Sequence, residues 1–589
     1  MVKSLPGKWW HASTHPRLAA LYERHQRAVS RLPIPRLEDT CARYLSAARP
    51  LQTPYEHEKT REVVNAFLAG EGVSLHAQLV AEDESRATAA PDSSYMESLW
   101  YRAAYLGPRD PIPINANPGL VLQPPSWSAE SAPLWRAATL LAASAAWRKR
   151  LVDGALPAPT TPSGDAMCMG MYPMVLGSCR RPEMGCDRIH HEPEAAHAAV
   201  HAGGEWFVLP LLDEHGAPLP PATLLAAMQQ LPPADSTGRP HSGIGAFTAE
   251  ERDSWATTRA QLTAASETNR TSLTAIESAA VVMILDPAQP SNLSETSRLV
   301  LAGDARKRWF DKMAFLVFAN GVAGVNFEHS PLDGAQVVSF LNEVCGATAD
   351  LLPPPPDAVG PPLLAAPKKL DWELSAELAQ QAQQAALRFD AFSESMDLHA
   401  ITISAIGGKW ARSLGVGLDG VVQLALQLGY AAAAAPPLPQ SVYEACSTQL
   451  YRAGRTECIR SVTEESAALS KLIVPLISAA VSAGDEGAAA AAAGSIVGGL
   501  GEASTKELAA KVAMALNAHR AVVRSCQKGQ GHERHLRALL EVARTRGHEP
   551  ALCEPRAPQT RLSQTLFRFV LSCFRLASPF RPSVHPWLA

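Results

Sequence analysis

Two hydrophobic rhythms run along this chain. Ala279-Ala280-Val281-Val282-Met283-Ile284-Leu285-Asp286 is apolar almost without a break over strand length, a pattern suited to a strand covered on both faces. His197–Val200 and Trp206–Leu212 carry alternating apolar character around Gly203-Gly204. Paired glycines supply the left-handed backbone of a tight two-residue turn, so a β-hairpin is expected there. Thr248 and Glu251 have capping-box spacing ahead of Trp255 and are expected to start a helix. Helices are also expected over Arg308–Val317 and Asp333–Val344, flanking a short polar loop around His329. From Trp372 to Leu387 the period is helical, an apolar run follows at 420–434, and 479–501 is an Ala/Gly-rich stretch with the composition of an insertion. Helical periodicity resumes at Lys506–Ala521 and reaches about Arg544. Prolines at 353–356, 361, 362 and 367 place a stiff linker at about 350–370. Strands and helices thus alternate on both sides of the linker, which points to α/β layers.

At 589 residues the chain is too long for one ordinary core, so at least two domains are expected. Its 53 basic and 57 acidic residues leave a net charge of -4, with no polybasic tract to follow a nucleic-acid backbone. Ten cysteines are scattered without CxxC pairs, the pattern of reduced thiols rather than of a zinc site or disulfide framework. The apolar runs Val421–Pro437 and Ala488–Ala493 are too short, or too interrupted, to cross about 30 Å of hydrocarbon, so no transmembrane helix is expected. Seven Lys/Arg against the single acid Glu23 in the first 37 residues lean toward a mitochondrial presequence, although Pro6, Pro16, Pro33 and Pro35 would break its helix. The final Pro586-Trp587-Leu588-Ala589 does not match the C-terminal peroxisomal tripeptide.

The best catalytic candidate is His329, in Asn326-Phe327-Glu328-His329-Ser330-Pro331-Leu332-Asp333-Gly334. An imidazole between small and polar residues, with the Asp333 carboxylate four positions on, presents a general base with a group to orient its ring, unless Asp333 instead caps the helix that starts there. The histidines and acids His190, His191, Glu192, Glu194, His197 and His201 lack HExxH spacing and fall on the expected hairpin, so no metal is assigned. Asp311 and Lys312 are expected to form an ion pair near the active site.

The His329 block, together with Arg308-Trp309-Phe310-Asp311-Lys312 and Asn320-Gly321, resembles the active-site signature of the choline/carnitine O-acyltransferase family. Further segments are similar to it: Arg31-Leu32-Pro33-Ile34-Pro35-Arg36-Leu37 with Thr40, Tyr44 and Leu45; Trp100 to Tyr105-Leu106, then Arg109, Pro111-Ile112-Pro113 and Asn117-Pro118; Gly245 to Trp255; Gly407-Gly408-Lys409 with Arg412; Tyr443-Glu444-Ala445; Gly454-Arg455-Thr456-Glu457; and Glu533-Arg534-His535-Leu536. The resemblance covers about residues 31 to 545.

It implies two α/β domains of similar topology, each a mixed β-sheet flanked by helices in the manner of chloramphenicol acetyltransferase. A tunnel is expected at their interface with the histidine at its midpoint. The expected division is an extension at 1–30, a catalytic domain at 31–350, the linker at 351–370, a coenzyme- and carnitine-binding domain at 371–548, and a divergent tail at 549–589. The implied reaction passes an acyl group directly between coenzyme A and carnitine in a ternary complex, without an acyl-enzyme and with no permanently bound cofactor. His329 serves as base, Lys409, Arg412 and Asp419 hold the coenzyme, and Tyr443, Thr456 and Arg534 hold carnitine's carboxylate.

Choline-type members carry Val and Asn at the positions of Thr456 and Arg534, which favours carnitine here. Hydrogen bonds to a charged group contribute about 1.5–3 kcal/mol each, and an arginine left unpaired costs at least as much. Departures from the family pattern are Arg412 for Lys, Gly417-Leu418 for Ser-Pro, Cys458 for Thr, and a tail in which Arg561-Leu562-Ser563-Gln564 replaces the family's L-S-T-S-Q. The rivals are a choline acetyltransferase-like enzyme and a truncated, inactive member that only binds acyl-coenzyme A. A monomer without nucleic-acid partners, soluble in mitochondrion or peroxisome or else in the cytosol, is expected.

Overall fold

The computed structural model describes residues 24–127, 132–233, 242–354, 366–404, 406–433, 441–482, 502–547 and 574–575. Most of the 479–501 insertion and of the 549–589 tail lies outside them. Trp100–Ile401 forms the body of one compact unit, which also takes the strand Phe574–Arg575, and Val29–Leu99 with Thr402–Phe569 that of a second.

The first unit is built on a mixed eight-stranded sheet in the order Lys368–Leu370, Glu205–Pro210, His197–Ala202, Val281–Asp286, Ala314–Phe318, Ala323–Asn326, Gly119–Val121 and Phe574–Arg575. Its centre is parallel, with His197–Ala202 beside Val281–Asp286 and that strand beside Ala314–Phe318, and antiparallel pairs flank it on both sides. The apolar run behaves as its pattern requires. Val281, Met283 and Leu285 enter one core, which includes Leu140 and Leu141 of helix Pro133–Val152 and Phe340 of helix Gly334–Thr348. Val282 and Ile284 enter the other, with Trp255, Leu273, Ile276 and Phe389 from helices on the opposite face. The hairpin forms in the expected register, with Gly203 and Gly204 at φ 55° and 84°, the backbone that a two-residue turn between twisted strands needs.

Three expectations are corrected here. Arg308–Val317 is not a helix: Ala314–Phe318 is a fully buried strand, with Phe315 and Val317 in one core and Ala314, Leu316 and Phe318 in the other. Two-sided burial between neighbouring strands overrides a local pattern that also fits a helix. Thr248 and Glu251 do not form a capping box. Glu251 itself is the N-cap of helix Arg252–Ala265, accepting from the Ser254 amide, while the Thr248 hydroxyl donates to Gly245 O. Asp311 and Lys312 do not pair with each other. Asp311 takes the Trp255 indole N–H and lies 2.9 Å from Arg252, whereas Lys312 donates to the carbonyls of Ser178 and Glu277.

The units also divide elsewhere than at the Pro-rich stretch. Beyond it, Lys368–Leu370 adds an edge strand on Trp206–Val208, and helix Ala376–Glu394 buries Leu378, Ala382, Ala385, Ala386 and Phe389 in the first unit's core. The second unit instead takes in the early helices Leu37–Ala48, Pro54–Ala69 and Glu71–Ala89. They are joined to its late helix Glu533–Thr545 by the buried His535 ring, which bonds the Thr40 hydroxyl at 2.7 Å and the His76 ring at 3.1 Å. Helices Leu418–Ala433, Glu464–Ser482 and Glu502–Gln527 complete it. Among the described residues its strands form two two-stranded ladders, Glu444–Ser447 with Thr456–Ile459 and Ser30–Arg31 with Tyr451–Arg452. Among the described residues no helix is long and apolar enough to cross a membrane.

Candidate active site

In the first unit His329 sits where strand Ala323–Asn326 gives way to helix Gly334–Thr348. The loop between them is held at its root and along its length. Asn326 donates to the carbonyls of Val300 and Leu301, and the Phe327 amide donates to Pro118 O. Glu328, buried, accepts from the amide and hydroxyl of Ser330. The half-buried His329 ring then has little freedom: Nδ1 lies 2.7 Å from Leu332 O, and the rings of Tyr105 and Phe327 lie 5.1 and 5.7 Å away. A carbonyl only accepts, so Nδ1 carries the proton of the neutral ring and Nε2 keeps its lone pair, the tautomer a general base requires.

Asp333 is buried at 5 % exposure and stands just before Gly334–Thr348, but its side chain makes no capping bond to that helix. The bond that orients Nδ1 comes from the Leu332 carbonyl.

The second unit brings Tyr443, Thr456 and Arg534 together, although 91 and 78 residues separate the first two from the arginine. Arg534, at the start of helix Glu533–Thr545, is 5 % exposed. Its Nε donates to Thr456 O at 2.7 Å, and its Nη2 lies 3.2 Å from Thr456 Oγ1 and 3.3 Å from Tyr443 Oη. Behind it, Glu457 accepts from the amides of Arg534 and Cys458. Burial pushes the Glu457 carboxyl up to about 7 against the pull of Arg534. Glycine is required at 531, where a Cβ would stand 2.3 Å from the Glu457 carboxyl carbon. Cys458 is wholly buried with its Sγ toward Ile459 O, so this departure from the family pattern falls in the interior.

Lys409 and Arg412 share the short helix Gly408–Ser413, three residues apart and both exposed, so they lie on one face. Asp419 opens helix Leu418–Ala433. Its carboxyl meets Glu444, which in turn accepts from His519 Nε2 at 3.0 Å and from the Ser461 hydroxyl. Burial and the neighbouring Glu444 push Asp419 up to about 7. His519 is raised, because the Glu444 carboxylate outweighs its burial. These three groups lie within 4.8 Å of one another, and their mutual bonds account for the arrangement as a proton-sharing ion pair.

In the sequence Tyr105, Glu328 and Glu457 stand inside family-like motifs without a role of their own, and His519 stands in none. Tyr105 stands 224 positions before the ring it packs on, and no spacing rule connects them.

The choline/carnitine O-acyltransferase family model matches residues 32–582. The chain belongs to that family, and its chemistry is O-acyl transfer. Among its relatives, mitochondrial carnitine O-palmitoyltransferase 2 of Macaca fascicularis is 28 % identical over 575 residues, 92 % of this chain and 82 % of the relative. Carnitine O-acetyltransferase of Columba livia is 27 % identical over 467 residues, 76 % and 72 % of the two chains. Choline O-acetyltransferase of Drosophila melanogaster is 28 % identical over 478 residues, 74 % and 65 %.

Proposed function

We propose that this protein transfers an acyl group reversibly between coenzyme A and carnitine. The supporting observation is the buried Arg534 with Tyr443 Oη and Thr456 Oγ1 at 3.3 and 3.2 Å. Two hydroxyls beside one guanidinium suit a substrate that ends in a carboxylate. A choline-like alcohol brings no anion to the guanidinium and the two hydroxyls, so the choline reading is the weaker one.

In the proposed step, carnitine's hydroxyl gives its proton to Nε2 of His329 as its oxygen bonds to the thioester carbonyl carbon. The tetrahedral intermediate then collapses, the carbon–sulfur bond breaks, and the coenzyme A sulfur takes the proton back from the imidazolium. Leu332 O fixes the ring through the bond to Nδ1, and buried Asp333 balances the imidazolium charge. Because the same proton serves both directions, the reaction runs either way. Lys409 and Arg412 bind the coenzyme's phosphates, one as a point charge and one as a fork, and Asp419 belongs to the same coenzyme-binding segment. The expected tunnel and a mitochondrial or peroxisomal setting belong to the same proposal.

The test is release of coenzyme A thiol from acetyl-, octanoyl- and palmitoyl-coenzyme A on adding carnitine or choline. Carnitine-dependent release with little response to choline supports the proposal. Release with choline alone refutes the substrate. Tight acyl-coenzyme A binding without release by either alcohol leaves a binding protein.

A further inference from the structure

Arg180 stands on strand Ser178–Arg181, paired with Arg188–His191 in the first unit. Its side chain is buried, at 2 % exposure. Three acceptors surround its guanidinium. Nη2 donates to the main-chain oxygen of Tyr105 at 2.7 Å, Nε donates to Asp187 Oδ2 at 2.7 Å, and Nη1 lies 3.4 Å from Glu328 Oε1. Two of these belong to the immediate surroundings of His329. The Tyr105 ring packs on the imidazole at 5.1 Å with the planes tilted by 32°, and Glu328 is the preceding residue, whose carboxylate gathers the amide and hydroxyl of Ser330 on the other side. Asp187 supplies the charge that makes a buried guanidinium tolerable. Its own burial is outweighed by Arg252 and Arg180, so its carboxyl is held below the usual range.

A guanidinium is a flat, rigid fork, and a buried N–H that loses its acceptor costs about 1–3 kcal/mol. One plane therefore ties the backbone behind the imidazole to the side chain at the root of its loop. We infer that Arg180 is a positioning residue for His329: it fixes the Tyr105 ring and the Glu328 turn against each other and so sets the direction of Nε2. This rests on the acyl-transfer reading, in which His329 is the base. Arg252 provides the comparison. It is as deeply buried and also bonds Asp187, at 2.6 Å, but its other ion-pair partner is Asp311. Losing either arginine disturbs the same buried charge cluster, whereas only Arg180 bonds Tyr105 and Glu328.

The experiment compares the full chain with Arg180→Lys and Arg252→Lys, measuring kcat and both KM values by thiol release, with melting temperature alongside. Both variants are expected to melt earlier by similar amounts. Arg180→Lys should lower kcat on the order of 10²-fold, the effect of a displacement near 1 Å at a reacting group, with KM values within about threefold. Arg252→Lys should lower kcat by no more than about threefold. Equal kcat losses in the two variants, or a loss confined to KM in Arg180→Lys, overturn the inference. If Arg180→Lys does not fold, Glu328→Gln decides it: a kcat loss of about tenfold supports the role, and wild-type kcat overturns it. A readout independent of turnover separates failure of the inference from failure of the enzymatic reading. Exchange of the His329 ring C2 proton, followed by mass spectrometry across a pH series, should change in Arg180→Lys and not in Arg252→Lys. No change in either overturns the inference whatever the substrate proves to be.

Discussion

The two units balance buried charge differently, although burial also raises Asp311 of the first, to about 6. In the first, carboxylates are ionised and matched to guanidiniums: Asp187 with Arg180 and Arg252, and Asp286 with Arg308. Burial raises both acids, but the neighbouring arginines outweigh it and leave them lowered. In the second, Glu533 is paired with Arg460 and lowered in the same way, but two buried acids are raised. Burial pushes Glu97 up to about 8 and Glu457 up to about 7. The cores differ in parallel. The first unit covers a broad sheet on both faces, while the second contains smaller clusters such as Leu424, Leu469, Ala515 and Leu516. A general base needs a fixed direction, which ion pairs and a rigid sheet provide. In the second unit Thr456 and Tyr443 hold the Arg534 guanidinium in place, with Glu457 behind it.

The largest effect that would sharpen this contrast lies in the first core. Phe315, fully buried between strands and 6.4 Å from the Phe340 ring, should cost about 3–5 kcal/mol when replaced by alanine, against about 2–3 kcal/mol for Leu469→Ala in the smaller cluster. Denaturant unfolding of both variants checks this, and equal losses would erase the contrast in packing. Next, Arg534→Met should lower kcat/KM for carnitine by about 10–150-fold, the equivalent of about 1.5–3 kcal/mol for a charge-assisted contact. KM for acyl-coenzyme A should barely move, and steady-state kinetics with each substrate varied in turn separates the two.

The third effect is one of pH. For Glu97 and Glu457 the native state keeps protons that the unfolded chain releases above the ordinary glutamate value of 4.5. Stability therefore falls as pH rises from there to about 7–8, at about 1.4 kcal/mol per pH unit per group. His519 acts in the same direction: its folded value is raised, so its contribution is complete below the unfolded value and lost as pH rises through the folded one. Asp187 and Asp286 act oppositely, contributing above the ordinary aspartate range and losing that contribution as pH falls through their lowered values. Calorimetric scans across pH should show the second unit weakening first on the alkaline side and the first unit on the acid side. Coincident shifts would break the comparison. The smallest effect is local: Thr53→Ala removes the capping box with Glu56 on helix Pro54–Ala69 and should cost about 1 kcal/mol, read as a small shift in denaturation midpoint with no change in kcat.

Much of this was legible where one residue type carries a conformation or a charge. The Gly203-Gly204 turn, the two-faced strand at Val281–Asp286 and the His329 loop before its helix follow from local pattern. Resemblance selected Tyr443, Thr456 and Arg534 from separate motifs, and folding places them within hydrogen-bond reach. What stayed hidden depends on tertiary partners. Phe315 and Val317 suit a helix as well as a strand until sheet neighbours appear on both sides. Asp311 looks like a partner for adjacent Lys312 until Arg252 and Trp255 arrive from helix Arg252–Ala265. The division of the chain was missed because prolines mark a stiff segment without revealing which core the following strand and helix will join.

The most direct measurement is carnitine-dependent thiol release from acyl-coenzyme A by the wild-type chain beside His329→Ala. A loss of about 10²–10⁴-fold in kcat with folding intact is expected when a general base is removed. Wild-type turnover in the alanine variant would contradict His329 as the base.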